Sequence, residues 1–344
     1  MIQIRDSDEE FPLVTVAIPT YNRASYLKHA LASAYAQTYK NIEIIVSDNA
    51  SNDDTAAAAA SFNDLCLKYL RQPKNIGMVG NWNACLNSAS GQYFLLLSDD
   101  DELGPAAIED LVNVIRGRAH HHQKISPRDI AFAYGYCAIE NTVTHQMALS
   151  RIAPFGEPSE QYRIGFLRSQ RVNYPSATLF RTNDMRDVGG YSMRYGPATD
   201  VGMAFEVSGR YPVVAFTGTR TTRYFFHPEN ASSSANIDVL VDAIASISQT
   251  AIAQIPLSNV QCLLSTRKAA AWAQASALLH NLVVRHFSGS VGLAEVISYS
   301  WRYRRLFSNV ECARLLLRAC IKLGLFTFFG WRKLSSRSQR PLVR

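Results

Sequence analysis

Asp99, Asp100 and Asp101 stand in a row and are followed by Glu102, directly after the apolar run Tyr93-Phe94-Leu95-Leu96-Leu97. The run is short, rich in β-formers and bounded by Gly91 and by Gly104-Pro105, so it predicts a buried strand. Carboxylates at the carboxyl end of such a strand sit where open α/β sheets bind ligands. Two unit charges ~4 Å apart repel by ~4 kcal/mol at an effective dielectric of about 20. A hard cation, Mg²⁺ or Mn²⁺, removes that repulsion and can carry a substrate phosphate as a further ligand. A solvated acidic turn is the plainer reading of the same residues.

The elements that must position this run are legible upstream. Val14-Thr15-Val16-Ala17-Ile18 predicts a strand ended by Pro19-Thr20-Tyr21-Asn22-Arg23, and Tyr26, Leu27, Ala30, Leu31 and Ala34 recur at helical spacing. Residues 42–47 predict a second strand, ended by a polar stretch from Asp48 to Thr55 in which Asn52 or Asp53 can cap the alanine-rich helix that follows. A short strand at Tyr69-Leu70 leads to Gln72-Pro73-Lys74-Asn75-Ile76-Gly77, and a helix from about Gly80 to Ala89 returns the chain to the acidic strand. Strand–helix alternation with polar strand ends is the pattern of a parallel sheet with right-handed crossovers, and it brings every polar cluster to one edge.

These segments, with YGPATDVGMAFEVSGRYPVV further on, resemble the inverting glycosyltransferases of family 2. The resemblance covers roughly residues 11–230. It implies an α/β GT-A fold, a Rossmann-like, mostly parallel twisted sheet flanked by helices. It further implies a nucleotide-sugar donor (UDP or dTDP favoured), a divalent metal (Mn²⁺ or Mg²⁺) and transfer with inversion. On this resemblance Thr20, Tyr21 and Arg23 flank the base and pyrophosphate, Asp48 accepts from the imide N–H of the base, and Asn75 and Gly77 close over it. Asp99 is expected at the ribose and Asp101 at the metal, with Asp100 able to share either task. His227 is expected behind the donor, touching metal or diphosphate.

The acceptor half has its own carboxylate. Pro197-Ala198-Thr199-Asp200 precedes an apolar helical pattern, so Thr199 or Asp200 stands where an N-cap would be. In the family an Asp at this position is the general base, and an inverting displacement needs one carboxylate opposite the leaving group to take the acceptor hydroxyl's proton.

The expected organisation is a catalytic domain over residues 11–230, with a donor half at about 11–110 and an acceptor half at about 130–230. A helical extension ending in a basic tail follows over 236–344. Residues 300–344 carry eleven Lys or Arg and one acid, Glu311, a formal +10 that leaves −3 for the remainder. The tail's apolar stretch is interrupted by Arg318 and Lys322 and is too short to span a bilayer. It fits either an in-plane interfacial anchor or a packed C-terminal helix. Nucleic acid is not an expected partner, because no recognised module accompanies the charge. Six scattered cysteines without a CxxC favour a reducing compartment. The expected location is cytoplasmic, with peripheral contact at the inner face of the cytoplasmic membrane through the basic tail. The expected activity is transfer to a hydroxyl of a glycan or lipid-linked acceptor, as in bacterial surface polysaccharide biosynthesis. Transfer to a polyprenyl phosphate, or a non-catalytic nucleotide-sugar-binding protein, are the alternatives.

Overall fold

The apolar runs become the middle of one sheet. β1 (Val14–Thr20) is buried along its whole length, as is β4 (Tyr93–Leu96), and β2 (Ile42–Asp48) is buried from Ile44 onward. In the computed structural model these strands lie side by side and parallel, in the order β2-β1-β4, with β3 (Leu67–Arg71) parallel on the far side of β2. The structure describes residues 11–62, 66–118, 125–150, 153–169, 174–227, 230, 236–256, 258–287, 293–307, 312, 314 and 315.

Beyond β4 the sheet changes character. β5 (Glu102–Leu103) follows the acidic run and pairs at the far edge of the sheet, and β9 (Thr178–Arg181), much later in the chain, lies antiparallel beside β4. Next come β6 (Ile130–Asn141) and β10 (Val213–Phe226), which run parallel to each other, while β5 pairs antiparallel with the last turns of β10. Two short strands, β7 (Met147–Leu149) and β8 (Gly156–Pro158), pair antiparallel with β6 and β10. The result is a mixed, mostly parallel α/β sheet of GT-A type flanked by helices.

Each flanking helix seats an apolar stripe on the sheet. α1 (Ala24–Tyr35) buries Leu27, Ala30, Leu31 and Ala34, and α4 (Ala107–Ile115) buries Ile108, Leu111, Val112 and Ile115. Burying each of the larger side chains contributes roughly 1.5–3 kcal/mol. α2 (Thr55–Ala60) is short, and Asp53 rather than its N-terminal neighbour Asp54 accepts from the Thr55 N–H, at 3.1 Å. α3 (Gly77–Ser88) begins three residues earlier than its apolar pattern suggests, because Gly77 adopts φ +76 and turns the loop directly into the helix. Its Asn81 is buried and double-bonded to Ser47 on β2, accepting from the hydroxyl at 2.7 Å and donating to the carbonyl at 2.8 Å.

The chain divides into two compact units, residues 1–270 and 271–344. The first runs past residue 230 because α8 (Ile237–Ala253) packs on α7 (Thr199–Ser208) and on the 3₁₀ segment Met193–Ala198 before it. Helix α9 (Val260–Phe287) follows, and α10 (Leu293–Arg302) lies in the second unit. Most of the basic tail, residues 316–344, lies outside the described residues.

Candidate active site

The carboxyl ends of β1, β2 and β4 open into a cavity of about 610 Å³. Its walls bring together sequence-distant residues. Thr20, Tyr21 and Arg23 come from the end of β1, and Asn75 and Gly77 from the loop before α3. Asp99 and Asp100 come from the end of β4, and Asp200 from the first turn of α7.

The acidic run is held by a different partner at each residue. Arg23 places one guanidinium nitrogen 3.1 Å from Asp99 Oδ1 and 2.7 Å from Asp100 Oδ2. The same Asp100 oxygen lies 3.0 Å from His227 Nε2 and 3.4 Å from the Asn230 amide nitrogen. Burial first, then the Asp100 charge, pushes the Asp99 carboxyl up to about 6 against the pull of Arg23.

Asp101 behaves otherwise. It is buried, accepts from the Ser176 hydroxyl at 2.5 Å and from the Phe225 N–H at 3.4 Å, and does not line the cavity. Burial and the neighbouring Asp100 charge push its pKa well above the usual carboxylate range. The expectation that Asp101 is the metal ligand therefore meets a carboxylate already committed to the protein. Asp99 and Asp100 are the members of the run that line the cavity, and Asp100 gathers the most donors. The spacing of three identical residues could not reveal this, because the deciding partners lie 75 and 124 positions away.

Asp48 is also turned inward. It is fully buried and accepts from the Tyr69 hydroxyl at 2.5 Å, from Arg71 at 3.2 Å and from the Ser51 N–H at 2.8 Å. Its neighbour Asn49, which the motif reading passed over, lines the cavity instead. Asn49 donates to Asn75 Oδ1 at 3.0 Å and accepts from the Ile76 N–H at 2.8 Å, so it holds the Asn75–Gly77 loop against the end of β2. Strand alternation offers the signal: consecutive residues at a strand end point opposite ways, so only one of Asp48 and Asn49 can face a ligand.

His227 is buried, stacks on Tyr26 with ring centroids 5.5 Å apart, and leaves Nδ1 without a hydrogen-bond partner among the described residues. It stands behind Asp100 and not on the cavity wall. Among the described residues no three His, Cys, Asp or Glu side chains converge as a ready metal cage. The donor set nonetheless fits a divalent cation. Asp100 and His227 are oxygen and imidazole groups 3.0 Å apart, donor types that divalent cations take, and a cation there would displace N–H groups of Arg23, His227 or Asn230 from the Asp100 oxygen. A Mg²⁺ or Mn²⁺ ion there would complete its shell with water and substrate phosphate.

Asp200 sits at the second position of α7, whose N-cap residue is Ala198 with no side-chain cap. Burial pushes its carboxyl up to about 6, against the Val201 and Asp200 backbone N–H groups that hold it down. Tyr224, on β10, lies in the fields of both carboxylate groups: burial raises its pKa first, then Asp101, Tyr174, Asp100 and Asp200.

Residues 15–121 match the family described as glycosyl transferase family 2. An uncharacterised glycosyltransferase of Rickettsia prowazekii is 38% identical over 130 residues, 38% of this chain and 38% of that protein. The GalNAc(5)-diNAcBac-PP-undecaprenol beta-1,3-glucosyltransferase of Campylobacter jejuni is 37% identical over 133 residues, 38% of this chain and 39% of that protein. The matches thus span about two fifths of these relatives' length. Among solved structures, TarS of S. aureus in complex with UDP-GlcNAc aligns over 90% of this chain and 80% of its own, with a TM-score of 0.58 and 17% identity. The mannosyltransferase PcManGT of Pyrobaculum calidifontis, in complex with GDP-Man and Mn²⁺, aligns over 91% and 87%, with a TM-score of 0.51 and 18% identity. These likenesses carry the fold.

Ser176 is the hinge of the acidic site, since its hydroxyl donates to Asp101 and accepts from the Ser98 N–H at 3.1 Å. Ser176→Ala leaves both groups short of a partner in a buried place. It should lower stability by about 1–3 kcal/mol, read from urea unfolding curves; an unchanged midpoint would show that Asp101 does not depend on it.

Proposed function

We propose that the protein is a glycosyltransferase that moves a sugar from a nucleotide sugar, UDP- or dTDP-linked, to a hydroxyl of a glycan or lipid-linked acceptor, with inversion at the anomeric carbon. The observation that carries this reading is the shared cavity, lined both by one group, Asp99, Asp100 and Arg23, and by the half-buried Asp200. One group suits a diphosphate and the other suits a hydroxyl about to lose its proton.

In this reading the nucleoside end of the donor lies along Thr20, Tyr21, Asn49, Asn75 and Gly77, and Arg23 faces the diphosphate. Gly77 has open space where a Cβ would stand, so its role is the φ of +76 that brings the loop round rather than a tight contact. Asp200 accepts the proton of the acceptor hydroxyl while that oxygen bonds the anomeric carbon. The bond from that carbon to the diphosphate oxygen breaks, and the nucleoside diphosphate leaves. A pKa near 6 leaves Asp200 mostly ionised at neutral pH and makes it a better proton acceptor than an ordinary aspartate. A divalent cation held by Asp100, with His227 beside it, would bear charge developing on the leaving diphosphate. The Campylobacter relative's name supports a lipid-linked acceptor, and the formal +10 of residues 300–344 supports attraction to an anionic membrane where such acceptors diffuse.

Asp200→Asn should keep donor binding and lower turnover by about 10²–10⁴-fold. The wild-type kcat/KM should rise with pH through about 6 and level off above it, because the base works only when deprotonated. A profile flat from pH 5 to 8 would remove Asp200 from this role.

The metal reading separates two neighbours. Asp100→Ala should abolish the Mn²⁺-dependent part of UDP binding in calorimetry, whereas Asp101→Asn should retain it. The reverse pattern would return the metal to Asp101. For the tail, the full-length protein should float with anionic vesicles at low salt and be released as salt rises; failure to float at low salt would assign the tail to packing.

A further inference from the structure

Trp82 lies on α3, five residues beyond Gly77, which moves it about 7.5 Å along the helix from the Asn75–Gly77 loop. The seat of α3 on the sheet is made by Val79, Asn81, Cys85 and Leu86, all buried, while Trp82 is half-buried and lines the cavity. An aromatic ring on a cavity wall is a costly exposure unless something covers it in use.

The ring is held from behind. Tyr191 is buried and meets it edge-to-face, with centroids 5.1 Å apart and planes at 76°. Tyr191 is fixed in turn by Asn83, the residue after Trp82. The Asn83 amide accepts from the Tyr191 N–H and donates to its carbonyl, both at 2.8 Å. Gly190 makes this clasp feasible: its φ is +75, and a Cβ there would stand 2.6 Å from Asn83 Oδ1. Tyr191 also lies within the field of Asp200, which after burial is the largest cause of its raised pKa. The clasp therefore ties the indole to Tyr191, the residue that feels the Asp200 charge, and Trp82, Pro197, Asp200 and Val201 line the same cavity.

We infer that Trp82 is the acceptor platform of this site: its indole stacks on one face of a pyranose ring whose hydroxyl is presented to Asp200. This rests on the transferase reading above and narrows its acceptor to a saccharide, as opposed to a bare polyprenyl phosphate. The chemistry is direct. An indole carries negative charge on its face, and a pyranose carries axial C–H groups of opposite polarity on one side and hydroxyls around its rim. Stacking fixes the plane of the ring and leaves the rim hydroxyls free, one of them for the base. A phosphate headgroup has no such face, and its charge would lie against an apolar ring beside a carboxylate.

The test uses the full-length protein with Mn²⁺ and UDP, and a panel of methyl gluco-, galacto- and N-acetylglucosamine pyranosides followed by saturation-transfer NMR. Wild type should transfer saturation to the axial C–H protons of at least one pyranoside. Trp82→Ala should weaken that binding about tenfold, while Trp82→Phe, which keeps an aromatic face, should retain most of it. UDP affinity should stay unchanged in both variants, and both should remain folded. Pyranoside binding that is equal in wild type and Trp82→Ala overturns the inference, as does a panel that shows no transfer to wild type carrying UDP. Loss of UDP affinity in Trp82→Ala overturns it too, by assigning the indole to the donor. Failure of wild type to bind any nucleoside diphosphate overturns the transferase reading itself, a result distinct from the other three.

Discussion

Three adjacent carboxylates at the end of one buried strand cannot be left to repel one another, and the rest of the site is arranged around that constraint. Asp99, Asp100 and Asp101 are each less than 10% exposed, so water screens them poorly. The fold answers with a different device for each. The Arg23 guanidinium bridges the first two, His227 and Asn230 share the second, and Ser176 with a backbone N–H takes the third. Arg23 comes from the turn after β1, Ser176 from the 3₁₀ turn before β9, and His227 from the end of β10. Remote stretches of chain are thus tied to β4 through its charges.

That arrangement also explains why the sheet is not wholly parallel. A purely parallel sheet would continue beyond β4 with another strand–helix unit. Here β9 enters antiparallel to β4, so the turn before it, carrying Ser176, arrives at the same end as the acidic run. The Ser98 N–H, left over as β4 ends, is satisfied by the same hydroxyl. The Thr222 hydroxyl on β10 donates to the Ser176 carbonyl at 2.7 Å, so the two later strands are fastened where the carboxylates need them. α7 then brings Asp200, in its first turn, to the lining of the same cavity.

Much of the donor half was legible because its signals are local. Apolar runs that end in polar residues mark β1, β2 and β4, and the stripe Leu27, Ala30, Leu31, Ala34 marks α1, with all four residues buried as spacing implies. Tyr26 belongs to the same stripe in sequence but is used differently, stacked on His227 some two hundred residues away. What sequence could not supply was orientation. Asp48 and Asn49 are equally polar, yet only Asn49 reaches the cavity, because Tyr69 and Arg71 on β3 claim the Asp48 carboxylate. Asp100 and Asp101 are chemically identical, and a serine from the acceptor half separates them. Trp82 sat in plain view inside a helical pattern, where an aromatic residue ordinarily means core; only the clasp of Tyr191 by Asn83 gives it a direction.

The site is paid for in stability, and the sign of that cost follows from its pKa values. Asp99 and Asp200 both titrate near 6 in the folded protein, above the 3.8 of an unburied aspartate. The folded state therefore holds more protons than the unfolded chain between about pH 4 and 6, and stability falls as pH rises through that window. In the reading proposed above, activity runs the other way, since Asp200 would accept a proton only when ionised. At neutral pH the protein keeps two carboxylates charged where burial opposes it. Arg23 offsets this at Asp99, as a bound cation would at Asp100 beside it, whereas at Asp200 only the helix N–H groups do so. In the proposed reading, burial without a cationic partner is what makes Asp200 the better proton acceptor, and an acceptor hydroxyl beside it would supply a further hydrogen bond.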